Sequence, residues 1–176
     1  LLDGSFVNGY FQIGAFARET VRVQIRDARA EALALQATET GSTVTTDALA
    51  LGDISINGIG VRATAISDDP FSSANRDGSA IAKAAAINDT TQFHGVTARA
   101  MPTEFVGGGA ITGGTLDSNN YISINGQMIT DMRVLADDST DALINRINNV
   151  SKETGVTAAL DETGALVLNA YDGRNI

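Results

Sequence analysis

A lone histidine, three adjacent pairs of carboxylates and a run of closely spaced glycines are the residues whose types could do chemistry. His94 could serve as a general base toward a hydroxyl nucleophile, but that arrangement needs an oriented nucleophile and an orienting acid. No Gly-x-Ser-x-Gly segment marks a nucleophile, so His94 is read as an ordinary surface or loop residue. One histidine cannot build a histidine-type zinc site. The absence of cysteine removes thiolate chemistry, disulfides and cysteine-ligated zinc.

The acidic pairs Asp68-Asp69, Asp137-Asp138 and Asp161-Glu162 could in principle supply general acid and base to a glycosidic bond. None follows the Asp-x-Asp-x-Asp-Gly spacing of a calcium loop. Helix caps and turns explain them more simply, because short carboxylates accept from free backbone N–H groups there. Gly107 to Gly114 lacks both the Lys-Ser/Thr of a phosphate loop and the strand–helix context of a dinucleotide site, and is expected to be a flexible turn, within an altered or longer hairpin over Phe105 to Asp117. No catalytic, cofactor-binding or metal-binding residue is therefore assigned; the chain is expected not to be an enzyme and to need no cofactor.

The elements around these residues are organised by a duplication. Ile54-Ser55-Ile56-Asn57-Gly58 recurs as Ile122-Ser123-Ile124-Asn125-Gly126. Each copy is followed by a helical stretch ending Ile87-Asn88 or Ile147-Asn148, and then by Gly95-Val96-Thr97-Ala98 or Gly155-Val156-Thr157-Ala158. The first motif is displaced by 68 residues and the later two by 60, so the first copy carries a longer spacer before its helix. A duplicated supersecondary unit is a scaffold signal before it is a catalytic one.

Period-two alternation predicts strands around Tyr10–Ile13 and Val21–Ile25, joined by a hairpin over Gly14–Arg18. Residues 27–36 favour a short helix, and residues 38–46 are polar enough to link two domains. In the first copy, Leu51–Ile56 and Gly60–Ile66 are expected strands about an Asn57-Gly58 type I′ turn. Ser79 caps a helix over Ala80–Asn88, with Ile81, Ala84, Ala85 and Asn88 on one face, and a strand follows over Gly95–Met101. In the second copy, Tyr121–Ile124 and Gln127–Val134 flank Asn125-Gly126. Asp138, Ser139 or Thr140 caps a helix through about Ser151, and Leu143, Ile144, Ile147 and Val150 form its apolar stripe. That stripe is read as the core side rather than a partner-binding face. Gly155 ends the helix, and Val156–Leu160 pairs with Ala165–Ala170 around Asp161–Gly164. The fold class is α+β and rich in β-hairpins: two repeated units, each a small antiparallel sheet covered by one helix, plus an N-terminal β-hairpin segment. The divisions are residues 1–43, 44–118 and 119–176.

The chain has 176 residues and 43% hydrophobic content, enough to bury a core. Its net charge of −9 gives no electrostatic footprint for nucleic acid or anionic lipid, and suits a soluble, well-separated surface. No apolar run approaches the ~20 residues of a membrane helix, so no membrane insertion is expected. The start at Leu1-Leu2-Asp3-Gly4 and the end at Arg174-Asn175-Ile176, which reads as an unfinished strand, suggest an internal piece of a longer polypeptide.

Leu1-Leu2-Asp3-Gly4-Ser5-Phe6 followed by Phe11-Gln12-Ile13-Gly14 resembles the stretch of bacterial flagellin just after its N-terminal helices. The two Ile-Ser-Ile-Asn-Gly … Ile-Asn … Gly-Val-Thr-Ala units resemble the flagellin hook IN repeat, and Asp172-Gly173-Arg174-Asn175-Ile176 is similar to the tail of that repeat. Phe16 and Arg18 depart from the small or polar residues usual in the family, and the first copy lacks a counterpart of the closing hairpin. The resemblance implies a structural filament subunit in the extracellular bacterial flagellum. Its partners would be other flagellin subunits, an export chaperone and cap proteins. The family's assembling terminal helices are not in this sequence, so the piece alone should not polymerise. Flagellins of this kind are often O-glycosylated on exposed outer-domain hydroxyls, for which Ser72, Ser73, Thr112 and Thr115 are equivalent candidates. Asn88-Asp89-Thr90 and Asn149-Val150-Ser151 fit the N-glycosylation pattern. The alternatives are a flagellin-related adhesin or polysaccharide-binding surface, which needs an exposed aromatic groove built from Tyr10, Tyr121, Tyr171 and the phenylalanines, or a hook–filament junction protein.

Overall fold

A computed structural model describes residues 5–6, 9–12, 20–25, 29 and 37–176. The chain divides into two compact units, Leu1–Ser42 and Thr43–Ile176. In the first, strands β1 (Gly9–Gln12) and β2 (Thr20–Val23) pair antiparallel, with Phe11 opposite Val21. The residues expected to turn between them, and those expected to form a helix after them, lie outside the described residues apart from Arg29.

The second unit is α+β, with short helices and several small antiparallel sheets. Its first ladder is minimal: β3 (Ser55–Ile56) pairs with β4 (Ile59–Gly60). The longer strands expected here do not form. Gly52 turns at φ 88° and interrupts the ladder, so the two segments meet only through scattered backbone bonds, Gly52 N to Val61 O, Val61 N to Ile54 O and Thr64 N to Leu49 O, with Leu49 N on the Thr64 hydroxyl. Helix α1 (Ala80–Asn88) starts where expected, with Ser79 Oγ accepting from Ala82 N at 3.1 Å. Its buried face is not the expected one: Ala82, Lys83 and Ala86 point inward and Asn88 is exposed. Lys83 is held inside by donating its ammonium to Thr45 O at 2.6 Å. A short helix α2 (Thr91–His94) ends at Gly95, and no strand follows over Gly95–Met101 because no neighbouring strand pairs there.

The glycine-rich stretch is a correction to the expected turn. Strand β5 (Thr103–Ala110) contains Gly107, Gly108 and Gly109 and pairs antiparallel with β11 (Ala165–Ala170). The register slips between Ala165 and Val167, and a Cβ on Gly107 would sit only 3.3 Å from Leu166 O, so glycine lets the backbones close up at the bulge. The turn falls later, at Gly113, whose φ is 81°.

Strand β6 (Gly114–Leu116) leads to β7 (Ile122–Ile124) and β8 (Gln127–Ile129), which pair across Asn125-Gly126. The expected return strand breaks at Asp131, where φ is 60°, and resumes as β9 (Met132–Val134), which pairs with β6. Helices α3 (Ala142–Asn149) and α4 (Ser151–Thr154) precede β10 (Thr157–Leu160), which forms a hairpin with β11. Strands β5 and β6, from residues 44–118, thus pair with β11 and β9, from residues 119–176.

The core sits under α3. Ile129, Ile147 and Val156 are each 0% exposed, and Leu143, Val134, Leu168 and Ala170 pack with them, with Ile144 and Val150 at the margin. The apolar stripe is therefore core, as its period implies. Of the three expected caps, Asp138 performs the role: its carboxylate accepts from Leu143 N and Ile144 N, both at 3.0 Å. Residues after Ala170 form no further strand; they cross to residues 72–75 instead.

Candidate functional site

The repeated residues converge on two matching hydrogen-bond constellations. Asn57 and Asn125 adopt φ 50° and 47°, and the following Gly58 and Gly126 adopt 80° and 84°, so both turns take the left-handed conformation of a type I′ hairpin. Each asparagine then reaches away from its turn. Asn57 Nδ2 donates to His94 O at 3.0 Å, and Asn125 Nδ2 donates to Thr154 O at 2.9 Å. Those carbonyls close the short helices α2 and α4. The next residues, Gly95 and Gly155, have φ of 76° and 71° and donate back to Thr91 O and Ser151 O, both at 2.7 Å.

The Ile-Asn helix ends are used the same way. Asn88 Nδ2 donates to Ala98 O at 2.9 Å while its Oδ1 accepts from Ala98 N at 2.8 Å. Asn148 does the same to Ala158, at 3.0 and 2.8 Å. A primary amide is suited to this role, because it carries a donor and an acceptor side by side to match those of one backbone residue. Ile54, Ile56, Ile87 and Ile122 are half-buried and Ile124 is buried, whereas Val96 is exposed and its counterpart Val156 is fully buried.

His94 is not a surface or loop residue. It is 5% exposed on α2, where Val96 N donates to Nδ1 at 3.1 Å and Nε2 lies 3.1 Å from Ile87 O and 3.0 Å from Thr90 Oγ1. The carbonyl requires the proton on Nε2. Thr154 occupies the matching place in the second constellation: its hydroxyl donates to Val150 O and accepts from Val156 N, both at 3.1 Å. With both ring nitrogens committed to helix-end bonds, His94 has no spare position for a nucleophile. A histidine replacing a threonine leaves no periodic signal, but the match of Gly95 with Gly155 places both residues one position before a C-cap.

Asn125 is also the centre of a seam. Its Nδ2 lies 3.3 Å from Asn175 O, and Ser73 Oγ donates to its Oδ1 at 3.3 Å. Asn175 N donates to Ser72 Oγ at 2.9 Å and Asn175 Nδ2 to Ala74 O at 3.0 Å. Arg174 forks onto Asp172, with Nη2 2.6 Å from Oδ2, donates to Thr154 O at 3.1 Å and stands 5.6 Å from the Phe71 ring centre. A cleft of about 280 Å³ opens along this seam beside Asn75, Asn125 and Asn175. This junction of residues 172–176 with residues 71–75 was not foreseen, since nothing in the local pattern pairs segments so far apart.

The acidic pairs act as turn and cap acceptors. Arg62 sits against Asp68 and Asp89; the Asp68 contact, with Nη1 2.7 Å from Oδ2, holds the Asp68 carboxyl below its usual range and raises the guanidinium further. Asp69 is fully buried, and burial opposes its ionisation. Hydrogen bonds from the Ser72 hydroxyl and from Ser72 and Phe71 N–H win, and its carboxyl is lowered. Its Oδ2, like Thr130 Oγ1, is buried with no partner among the described residues. Asp161 Oδ1 accepts from the Thr163 hydroxyl, Thr163 N and Ala165 N, which lowers its carboxyl, while Glu162 is exposed. Asp137 is exposed with φ 55° beside the capping Asp138. Among the described residues, no three histidine or carboxylate groups gather as a metal cluster, and no helix is long and apolar enough to cross a membrane.

Of the hydroxyls raised as sugar acceptors, Ser72 is buried and bonded to the tail, whereas Ser73, Thr112 and Thr115 are exposed. Asn88 has both amide atoms occupied by Ala98, and Asn149 is exposed.

Residues 110–172 match the flagellin hook IN motif. The whole chain aligns with Flagellin A of Helicobacter pylori at 32% identity over 181 residues, covering 34% of that protein. These matches support a flagellin fragment. Flagellin A of Helicobacter felis is 30% identical over 182 residues and Flagellin B of Helicobacter pylori 32% over 188, each again along 100% of this chain. The chain spans about a third of the length of these flagellins. The hook IN match opens at the last residue of β5 and closes just after β11, so it takes in the hydrophobic core beneath α3.

Proposed function

We propose that this chain is part of a structural subunit of the bacterial flagellar filament, outside the cell, and that residues 44–176 form outward-facing filament surface. Alignment with flagellins along the whole chain is the observation that carries this reading. Residues 1–43 would belong to the inner β domain and connector, residues 44–118 to a first hook IN unit and residues 119–176 to a second. The repeated motif residues would be structural: each asparagine ties a turn or a helix end to the next piece of backbone, so a small unit with few aromatics keeps one shape. The partners would be other flagellin subunits, with an export chaperone and cap proteins acting on the full-length subunit. A net charge of −9 would keep neighbouring filaments apart.

The chain has no cysteine, so a single engineered thiol reports cleanly. Ser118 is exposed. S118C in the full-length subunit is expected to react with a membrane-impermeant maleimide on intact filaments as fast as on dissociated subunits. Labelling only after dissociation would overturn the outward placement. Failure of the full-length protein to form filaments at all would overturn the subunit reading.

A further inference from the structure

Both Asn-Gly turns of unit Thr43–Ile176 carry the sequence in which an asparagine amide is most open to attack by the next backbone nitrogen, because glycine has no Cβ to hinder it. Neither glycine is crowded by the rest of the fold: apart from its chain neighbours, nothing lies within 4 Å of where a Cβ would stand on Gly58 or Gly126. The two asparagines also share one backbone conformation, with φ of 50° and 47°. What differs is how each amide is held. Exposed Asn57 has the bond from Nδ2 to His94 O at 3.0 Å. Half-buried Asn125 has the equivalent bond to Thr154 O at 2.9 Å, a second approach to Asn175 O at 3.3 Å, and a hydroxyl from Ser73 on its oxygen at 3.3 Å.

We infer that Asn57 is a spontaneous modification site, deamidating through its own backbone, and that Asn125 is protected from the same reaction by Ser73 and Asn175. In the reaction Gly58 N, losing its proton, bonds to Asn57 Cγ, and the Cγ–Nδ2 bond breaks to release ammonia. Water then opens the resulting five-membered imide at either carbonyl, leaving aspartate or isoaspartate at position 57. No oxidant or further reactant is needed. Ring closure requires the side chain to swing from its carbonyl partner toward the glycine nitrogen, so every bond on the amide must break first. The product changes the first constellation. A carboxylate cannot donate to His94 O, so an acceptor faces an acceptor where the turn was tied to α2, and the surface gains a negative charge.

The test is incubation of the 176-residue chain in mildly alkaline water, with peptide mapping by mass spectrometry and isoaspartate detection at each asparagine. Asn8-Gly9, a third such pair in the sequence, maps to a separate peptide. Asn57 is expected to convert about tenfold faster than Asn125, equivalent to about 1.4 kcal/mol. The rates should become equal in denaturant, and S73A, which removes the hydroxyl on the Asn125 amide oxygen, should raise the Asn125 rate while the Asn57 rate stays unchanged. Equal rates in the folded chain, or faster loss at Asn125, would overturn the assignment. So would a rate difference that persists in denaturant, since local sequence would then be its cause. An unchanged Asn125 rate in an S73A chain that unfolds at the wild-type temperature would remove the protective role of Ser73.

Discussion

Asn148 holds Ala158 by both of its backbone polar groups, donating from Nδ2 to the carbonyl at 3.0 Å and accepting from the N–H at 2.8 Å. The contact joins the end of α3 to the start of the three-stranded sheet, and the core lies between them. Removing the amide leaves a partly enclosed backbone pair without its partner. N148A is expected to cost about 1–3 kcal/mol, read as a lower midpoint in chemical unfolding. N148D should be no better, because its carboxylate can accept from Ala158 N but opposes Ala158 O. N88A, whose bonds to Ala98 are exposed to water, should cost less than N148A. Equal costs would mean that burial does not set the value of this clamp.

Asp138 is buried and accepts from the first free N–H groups of α3, although it lies outside the helix. D138A is expected to destabilise the second unit by about 1–2 kcal/mol, the range of a lost helix cap. S139A, at an exposed alternative capping position, should be near neutral. Circular dichroism melts of the two variants separate these positions.

Gly95 and Gly155 both end helices in the left-handed region, where a Cβ costs about 1–2 kcal/mol. A Cβ on Gly95 would meet open space, whereas on Gly155 it would also collide with the Arg174 guanidinium. Both G95A and G155A should lower stability, and G155A should lower it more. It should also free residues 172–176 to faster hydrogen exchange, since Arg174 would leave Thr154 O and the Phe71 ring. An equal loss in both variants, with no change in exchange, would contradict the packing of Arg174 on Gly155.

The carboxyls of Asp68, Asp172, Asp161 and Asp117 are all held below their ordinary value: the first two mainly by Arg62 and Arg174, the third by the Thr163 hydroxyl and the fourth by Asn119 and Asn120 N–H. A carboxyl lowered in the folded state binds its proton more weakly there than in the unfolded chain. Its contribution is therefore full above the unfolded value of 3.8 and is lost as pH falls through the folded value. Stability is expected to be flat from neutral pH down to about pH 5 and to fall steeply below about pH 4. D68N should shrink that acid loss, and a pH series of unfolding midpoints for both chains measures it.

The second copy was largely legible because strong patterns coincide there. The stripe Leu143-Ile144-Ile147-Val150, the stop at Gly155 and the hairpin around Asp161–Gly164 all agree, and each has a neighbour to pack against. The first copy was less legible because its helix is almost all small and apolar. With Ala82 and Ala86 rather than large side chains turned inward, period alone could not say which face is buried. Burial of Lys83 depends on Thr45 O, a partner far away in sequence. The glycine strand was missed for the same kind of reason: Gly107 is explained by the approach of Leu166, a long-range contact with no local signature. The asparagine clamps were visible as repeated letters, but their partners became clear only once Ala98 and Ala158 stood opposite them.

The outward placement of residues 44–176 on a flagellar filament is tested most directly by electron microscopy. Intact filaments of the full-length subunit would be decorated with a monovalent antibody fragment raised against unit Thr43–Ile176. A filament-surface segment predicts regular decoration along the whole length of every filament. Decoration confined to the junction with the hook, or appearing only after the filaments are dissociated, would contradict it.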